Sequence, residues 1–94
     1  MKLISFDWDG WNINKNEDKH GVSKLEAESA FYDKKLIIFS DVKHSQIEKR
    51  YVAYGLSLEN RILMIGFTLR SAKIRIITSR AASKKEREIY EKNL

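Results

Sequence analysis

The side chains of this sequence with the clearest capacity for chemistry are Arg70, Arg75 and Arg80, the histidines His20 and His44, and Glu48. A guanidinium is a planar fork of donors that fits two oxygens of a phosphate at once. An imidazole changes protonation near neutral pH. Metal-independent RNA cleavage needs cations on the phosphate oxygens, a base for the attacking ribose 2′-hydroxyl and an acid for the leaving oxygen. Arg70 and Arg80 are the candidate phosphate or transition-state cations, and His20 or Glu48 the candidate proton carriers. Lys19, Lys73, Arg75 and Tyr51 are candidate RNA contacts. Each has a structural alternative. Arg75 reads equally as an exposed strand residue, and His20, beside Lys19, as a cation favoured at a helix end by the dipole. His44, within Asp41-Val42-Lys43-His44-Ser45, reads as a turn residue or as a loop residue with a function. Glu48 can act as a base or pair with Arg50 or another arginine.

Other chemistries have less support. Asp7 and Asp9 alternate and His44 follows Asp41 by three, but neither is a specific ligand pattern, so no metal and no cofactor are expected. There is no phosphate-binding glycine loop, dinucleotide fingerprint or nucleophile elbow. Trp8 and Trp11 read as core or interface anchors. The chain has no cysteine, hence no disulfide framework and no thiol chemistry.

The charge distribution sharpens the picture. The net charge is +5, yet residues 1–69 are balanced and the whole excess lies in residues 70–94. A basic C-terminal quarter suits a polyanion such as RNA or DNA, an acidic protein, or simply a solvated basic helix. Hydrophobic content of 43% and charged content of 33% indicate a globular chain. Ninety-four residues suit one domain with a thin core, 1–94. No apolar run is long enough to span a membrane and no leader pattern opens the chain, which fits the cytoplasm.

The elements that must position these groups read as α+β. Residues 2–8 suggest a short strand and 11–19 a short helix, stopped at Gly21. Ser23-Lys24-Leu25-Glu26 has the pattern of a capping box opening a helix over about 24–32, with Leu25, Ala27, Ala30 and Phe31 near one face. Leu36–Phe39 is a compact strand, and 50–57, 61–70 and 73–80 form an antiparallel meander. Two-residue turns at Glu59-Asn60 and Ser71-Ala72 place Val52, Tyr54 and Leu56 on the apolar face with Leu63, Ile65, Phe67, Leu69, Ile74, Ile76 and Thr78. That register puts Arg70 and Arg75 on the opposite face, with Tyr51, Ala53, Gly55, Gly66, Thr68 and Ser79. Arg80 then leaves on the apolar face near Arg61, emerging at the rim or pairing with an acid. Ser83-Lys84-Lys85-Glu86 opens a last helix to about residue 93, in which only Ile89 and Tyr90 are strongly apolar.

The order of blocks resembles the BrnT-type toxins over nearly the whole chain. Phe6-Asp7-Trp8-Asp9-Gly10-Trp11-Asn12 and Lys19-His20-Gly21-Val22-Ser23 carry the opening. Glu26, Ala27, Phe31, Asp41, His44-Ser45, Glu48-Lys49-Arg50-Tyr51, Gly55 and Arg61 follow. Phe67-Thr68-Leu69-Arg70, Ile74 to Arg80, Glu86-Arg87 and Tyr90 complete it. The resemblance implies a RelE-like fold, an antiparallel sheet flanked by N-terminal and C-terminal helices. It implies a ribonuclease toxin of a type II toxin-antitoxin system that arrests translation. A cognate BrnA-type antitoxin with a ribbon-helix-helix DNA-binding domain would neutralise it. The toxin would be a homodimer in that complex, which would reach operator DNA through the antitoxin. Where many relatives have Ser-Ala-Arg, this chain has Thr78-Ser79-Arg80, and Asn12 stands where many carry Lys. The competing reading is a non-catalytic binding module, or a degenerate toxin that co-regulates its operon.

Overall fold

A computed structural model of the chain describes residues 4–8, 20–45 and 47–94. The candidate contact Lys19, the expected helix over 11–19 and Trp11 lie outside those residues. The elements run α1 (Lys24–Ala30), β1 (Ile37–Ser40), a 3₁₀ turn (Val42–His44), β2 (Arg50–Leu56), β3 (Ile62–Arg70), β4 (Lys73–Ala81) and α2 (Lys84–Lys92). The strands form one antiparallel sheet in the order β1-β2-β3-β4. This is the expected α+β meander. Of the N-terminal strand expected over 2–8, the described residues retain one parallel bridge. Phe6 lies beside Ile74, with Asp7 N–H donating to the Ile74 carbonyl (2.8 Å) and Ile74 N–H to that of Ser5 (2.9 Å).

Ser23 caps α1, its Oγ accepting from Glu26 N–H (3.1 Å). The return half of the box is not made, because the Glu26 carboxylate turns inward to Arg61 and Ser57. That turn sets the buried face of α1 as Glu26, Ala27 and Ala30, continued by Phe31, and leaves Leu25, expected inside, 67% exposed. The core is one layer between α1 and the sheet, built from Val22, Ala27, Ala30, Phe31, Ala53, Leu63, Ile65, Phe67 and Ile76. Phe31 is its hinge, meeting Phe6 and Phe67 edge-on at 5.5 and 5.2 Å. Gly55 makes the close approach possible. A Cβ there would stand 2.7 Å from Leu36 Cδ1 and 2.8 Å from the Ala30 carbonyl oxygen.

The register corrects the expected faces in two places. The β2–β3 connection is a three-residue loop, with Asn60 left-handed (φ 61) and Ser57 N–H bonded to the Arg61 carbonyl. One extra loop residue reverses the parity of β2. Tyr51, Ala53 and Gly55 therefore pair with Phe67, Ile65 and Leu63 on the inner face against α1, while Val52, Tyr54 and Leu56 face outward. The β3–β4 turn is at Ser71-Ala72 as expected, both in the left-handed region (φ 49 and 64), the geometry whose twist suits a tight hairpin. Its register holds from Arg70↔Lys73 to Phe67↔Ile76. It then shifts at a bulge that inserts Ile77, so Gly66 faces Thr78, Ile65 faces Ser79 and Met64 faces Arg80. Thr78 and Arg80 are thereby outward and Ser79 inward, the reverse of the sequence expectation.

The second capping box is complete. Ser83 Oγ accepts from Glu86 N–H and Glu86 Oε1 accepts from Ser83 N–H (2.8 Å). The helix it opens buries Tyr90, while Ile89 is 38% exposed. Tyr90 Oη donates to Asp33 Oδ2, which also accepts from Leu56 N–H (2.9 Å), tying α2 to the end of β2. Burial together with that carboxylate pushes the Tyr90 hydroxyl up to about 12. Among the described residues no helix is long and apolar enough to cross a membrane.

Candidate functional site

The outer face of the sheet carries the cations. The observed register puts Arg50, Thr68 and Arg75 in one row, Arg70 beside Lys73, and Met64 beside Arg80. A hollow of about 340 Å³ opens on this face. Val52, Tyr54, Met64 and Thr78 help form its lining, and Arg50, His44, Asp41 and Arg80 bring the polar groups. Glu86 closes the α2 end.

The loop between β1 and β2 delivers the imidazole. Asp41 N–H donates to the Arg50 carbonyl (2.9 Å), so the two ends of the loop are paired like adjacent strand positions. Ser45 pins the interior, its Oγ accepting from Arg50 N–H (3.0 Å) and donating to the Asp41 carbonyl. The 3₁₀ turn then brings His44 Nδ1 to 2.9 Å from Asp41 Oδ2. A carboxylate on Nδ1 favours the tautomer whose Nε2 is the acceptor, the arrangement of an oriented base. A second hollow of about 470 Å³ adjoins the first, lined by Lys43, His44, Ile47, Glu48 and Arg50. His44 and Arg50 form the wall between the two.

At the opposite end, Arg80 is held by Glu86. Nη1 donates to Oε1 (2.8 Å) and Nη2 to Oε2 (3.0 Å), and Nη1 also reaches the Ala81 carbonyl (3.2 Å). Burial raises the Glu86 carboxyl, but hydrogen bonds from Arg80 and the Ser83 cap outweigh it and hold it below its ordinary range. Hydrogen bonding to Glu86 raises Arg80 further, so the guanidinium stays charged. The Tyr54 hydroxyl is raised, first by burial and then by Glu86, and is protonated at neutral pH.

The arginines of the C-terminal ribbon do not gather. Arg80 lies at the far end from Arg70, on the outer face rather than beside Arg61 on the inner one, because of the bulge at Ile77. Each meets its own carboxylate: Arg70 that of Glu48 (3.2 Å), Arg75 that of Asp7 (3.6 Å) and Arg80 that of Glu86. Arg80 lines the first hollow and Glu48 the second, with Arg70 beside Glu48. Lys73 is exposed at the hairpin tip. Tyr51 borders the first hollow, but its ring stacks on Phe67 (5.3 Å) with the Lys49 ammonium 5.5 Å from its centroid. His20 precedes Gly21, whose carbonyl accepts from Arg61, and borders neither hollow. That Arg50, His44 and Arg80 line one hollow was not legible in the sequence, since they lie on three segments. The nearest signal is Asp41-x-x-His44, a spacing that lets one turn close on itself. Among the described residues no cluster of three or more His, Asp or Glu side chains is placed to hold a metal ion.

A four-stranded antiparallel meander backed by one helix and closed by another, with an imidazole and two guanidiniums lining an open hollow, defines a small α+β protein with a cation-lined outer face. The family described as "ribonuclease toxin, BrnT, of type II toxin-antitoxin system" matches residues 8–86, and the chain belongs to it. Among solved structures, the chain is similar in fold to the Brucella abortus ribonuclease toxin BrnT. The identity is 21% and the TM-score 0.63, covering 87% of this chain and 100% of that one. No curated protein matches the chain.

Proposed function

We propose that this chain is an endoribonuclease that cuts RNA without a metal ion, with the scissile phosphate held in the hollow between His44, Arg50 and Arg80. Membership of a ribonuclease toxin family supports the reaction class. The observation that carries the assignment of the site is the His44–Asp41 pair opening on the same hollow as two guanidiniums from different strands. In this reading Arg80 and Arg50 neutralise the phosphate oxygens. Neutral His44, oriented by Asp41, takes the proton of the 2′-hydroxyl as it attacks phosphorus. The phosphorus–5′-oxygen bond breaks, the leaving oxygen takes a proton, and the products are a 2′,3′-cyclic phosphate and a 5′-hydroxyl. Glu48, on the far side of the His44–Arg50 wall, is the candidate to relay that second proton from solvent water. Arg70, Lys73, Arg75 and Lys19 hold flanking phosphates, and Tyr51 shapes the floor beside Arg50. Translation arrest follows from loss of message. A BrnA-type ribbon-helix-helix antitoxin covers the toxin, a homodimer in the complex, and carries it to operator DNA.

The test is incubation of antitoxin-free protein with RNA in chelator, with and without ribosomes. Cleavage should persist in chelator, stop when the scissile ribose is 2′-deoxy, and fall by about 10²-fold or more in His44→Ala. Glu48→Gln, measured alongside, tests the proton relay, and His20→Ala, outside both hollows, serves as the control. Intact RNA under every condition would remove the assignment. The second reading, a binding module, draws on the pairing of Arg70, Arg75 and Arg80 with carboxylates. It expects Arg80→Ala to weaken RNA or antitoxin binding in a protein that arrests no growth.

A further inference from the structure

Glu86 is shared between a helix and a guanidinium. Its Oε1 completes the cap of α2 by accepting from Ser83 N–H, while the same carboxylate takes the end of the Arg80 fork through both terminal nitrogens. A free arginine on a strand samples many rotamers, and ordering one such side chain costs conformational entropy. Here the ordering is done within the fold. Of the five N–H donors of Arg80, Glu86 takes two and the Ala81 carbonyl a third. The remaining two, one on Nε and one on Nη2, lie parallel along one edge of the guanidinium. That edge has the spacing for two oxygens of a phosphate.

We infer that Glu86 is a positioning residue. It grips the end of Arg80 so that the Nε/Nη2 edge is the one offered to the phosphate in the hollow. The residue does not touch the substrate. It fixes the cation before the reaction, so that no reorganisation is needed when charge develops on the phosphate oxygens. This rests on the hollow being the place where the phosphodiester is cut. The opposite role, a carboxylate that competes with the phosphate and masks Arg80, makes the opposite prediction for the same variant.

The experiment pairs Glu86→Gln with Ser83→Ala. The glutamine is neutral and cannot grip both nitrogens of the fork through two oxygens. The alanine removes the other half of the cap and leaves the Arg80–Glu86 contact in place. For RNA cleavage, Glu86→Gln should lower kcat by about tenfold or more with KM changed little. Ser83→Ala should keep kcat within about twofold while lowering the Tm. Nitrogen-15 NMR of the Arg80 Nε–H supplies a readout independent of turnover. Its signal should be sharp and slowly exchanging in the wild type and in Ser83→Ala, and broadened in Glu86→Gln. An unchanged or raised kcat in Glu86→Gln overturns the inference, as does an equal loss in Ser83→Ala, which would make the effect one of capping. If wild-type protein cuts no RNA, the cleavage reading fails by itself. Positioning is then decided by the Nε–H signal and by the Kd of an RNA oligonucleotide with 2′-deoxy substitutions. Loss of both in Glu86→Gln supports it, and retention of either overturns it.

Discussion

Arg61 with Glu26 and Arg80 with Glu86 are the same chemical pair in two settings. Both are two-point contacts between an arginine, Arg61 just before β3 and Arg80 within β4, and a helix glutamate, and in both the glutamate stands three residues after a capping serine. On the inner side, Arg61 Nε and Nη2 reach Glu26 at 2.6 Å each, Ser57 Oγ adds a third donor at 2.7 Å, and Arg61 Nη2 also closes on the Gly21 carbonyl. The Glu26 side chain is 4% exposed. The network joins the start of α1, the segment before it and the β2–β3 loop, and its carboxylate is spent on the fold. On the outer side the Glu86 side chain is 17% exposed, and its arginine lines a hollow. The difference teaches that what the surroundings leave open decides whether a charge pair is sealed into the fold or lines a hollow. The pairing itself does not decide it.

The largest expected separation between the two pairs is in turnover. Arg80→Ala should lower kcat for RNA cleavage by about 10²- to 10³-fold, the effect of removing one preorganised donor to a developing oxyanion. Arg61→Ala should leave kcat per folded molecule within about twofold while lowering stability. Single-turnover rates corrected for the folded fraction check both. Equal losses of kcat would dissolve the distinction.

Stability should separate them in the other direction. Glu26→Ala leaves Arg61 and the Ser57 hydroxyl without their acceptor, and should cost about 3 kcal/mol, read by urea denaturation. Glu86→Ala, at a wetter site, should cost about 1–2 kcal/mol, most of it from the cap. A sharper version replaces both partners. Glu26→Leu with Arg61→Met should recover most of the loss, because apolar groups of similar volume need no acceptor. The matching Glu86→Leu with Arg80→Met should fold and remain without activity.

Acid should read the inner pair next. The hydrogen bond from Arg61 holds the Glu26 carboxyl below its ordinary value against the opposing effect of burial, with Ser57 assisting. A depressed folded pKa contributes stability that is complete above the unfolded value and is lost as pH falls through the folded one. The stability difference between wild type and Glu26→Gln should therefore be constant from neutral pH to about 5 and shrink below about 4. A difference that grows with acidity would contradict the pairing. The smallest effect is at the alkaline end. With the Tyr90 hydroxyl raised to about 12, its contribution is complete below the unfolded value near 10 and is lost as pH rises toward 12. Tyr90→Phe should cost about 1 kcal/mol at neutral pH, a Tm change of about 4–8 °C, and less above pH 10.

Much of the fold was legible because local signals agreed with one another. The two serine caps, the β-branched runs of β3 and β4 and the Ser71-Ala72 turn each carried their own chemistry. The site was less legible. Arg80 was singled out as a cation at the rim or paired with an acid, and it is both. The side on which it emerges depends on a one-residue bulge that no local propensity announces. Leu25 and Glu26 show the same limit, since an apolar-in rule places leucine inside unless a distant arginine draws the glutamate there.

From its amino acids alone, this chain was already bound to be an antiparallel α+β protein with a basic C-terminal quarter and, through the order of its motif blocks, a relative of the BrnT toxins. Those properties are written in periodicity, capping and turn chemistry, each acting over a few residues. Which side chains share a face was decided by the three-residue loop at Asn60 and the inserted Ile77, because strand side chains alternate and a shift of one residue sends every later one to the other side. The meeting of His44, Arg50 and Arg80 around one hollow is the consequence of those two shifts and of the paired ends of the β1–β2 loop, and only the folded sheet brings it about.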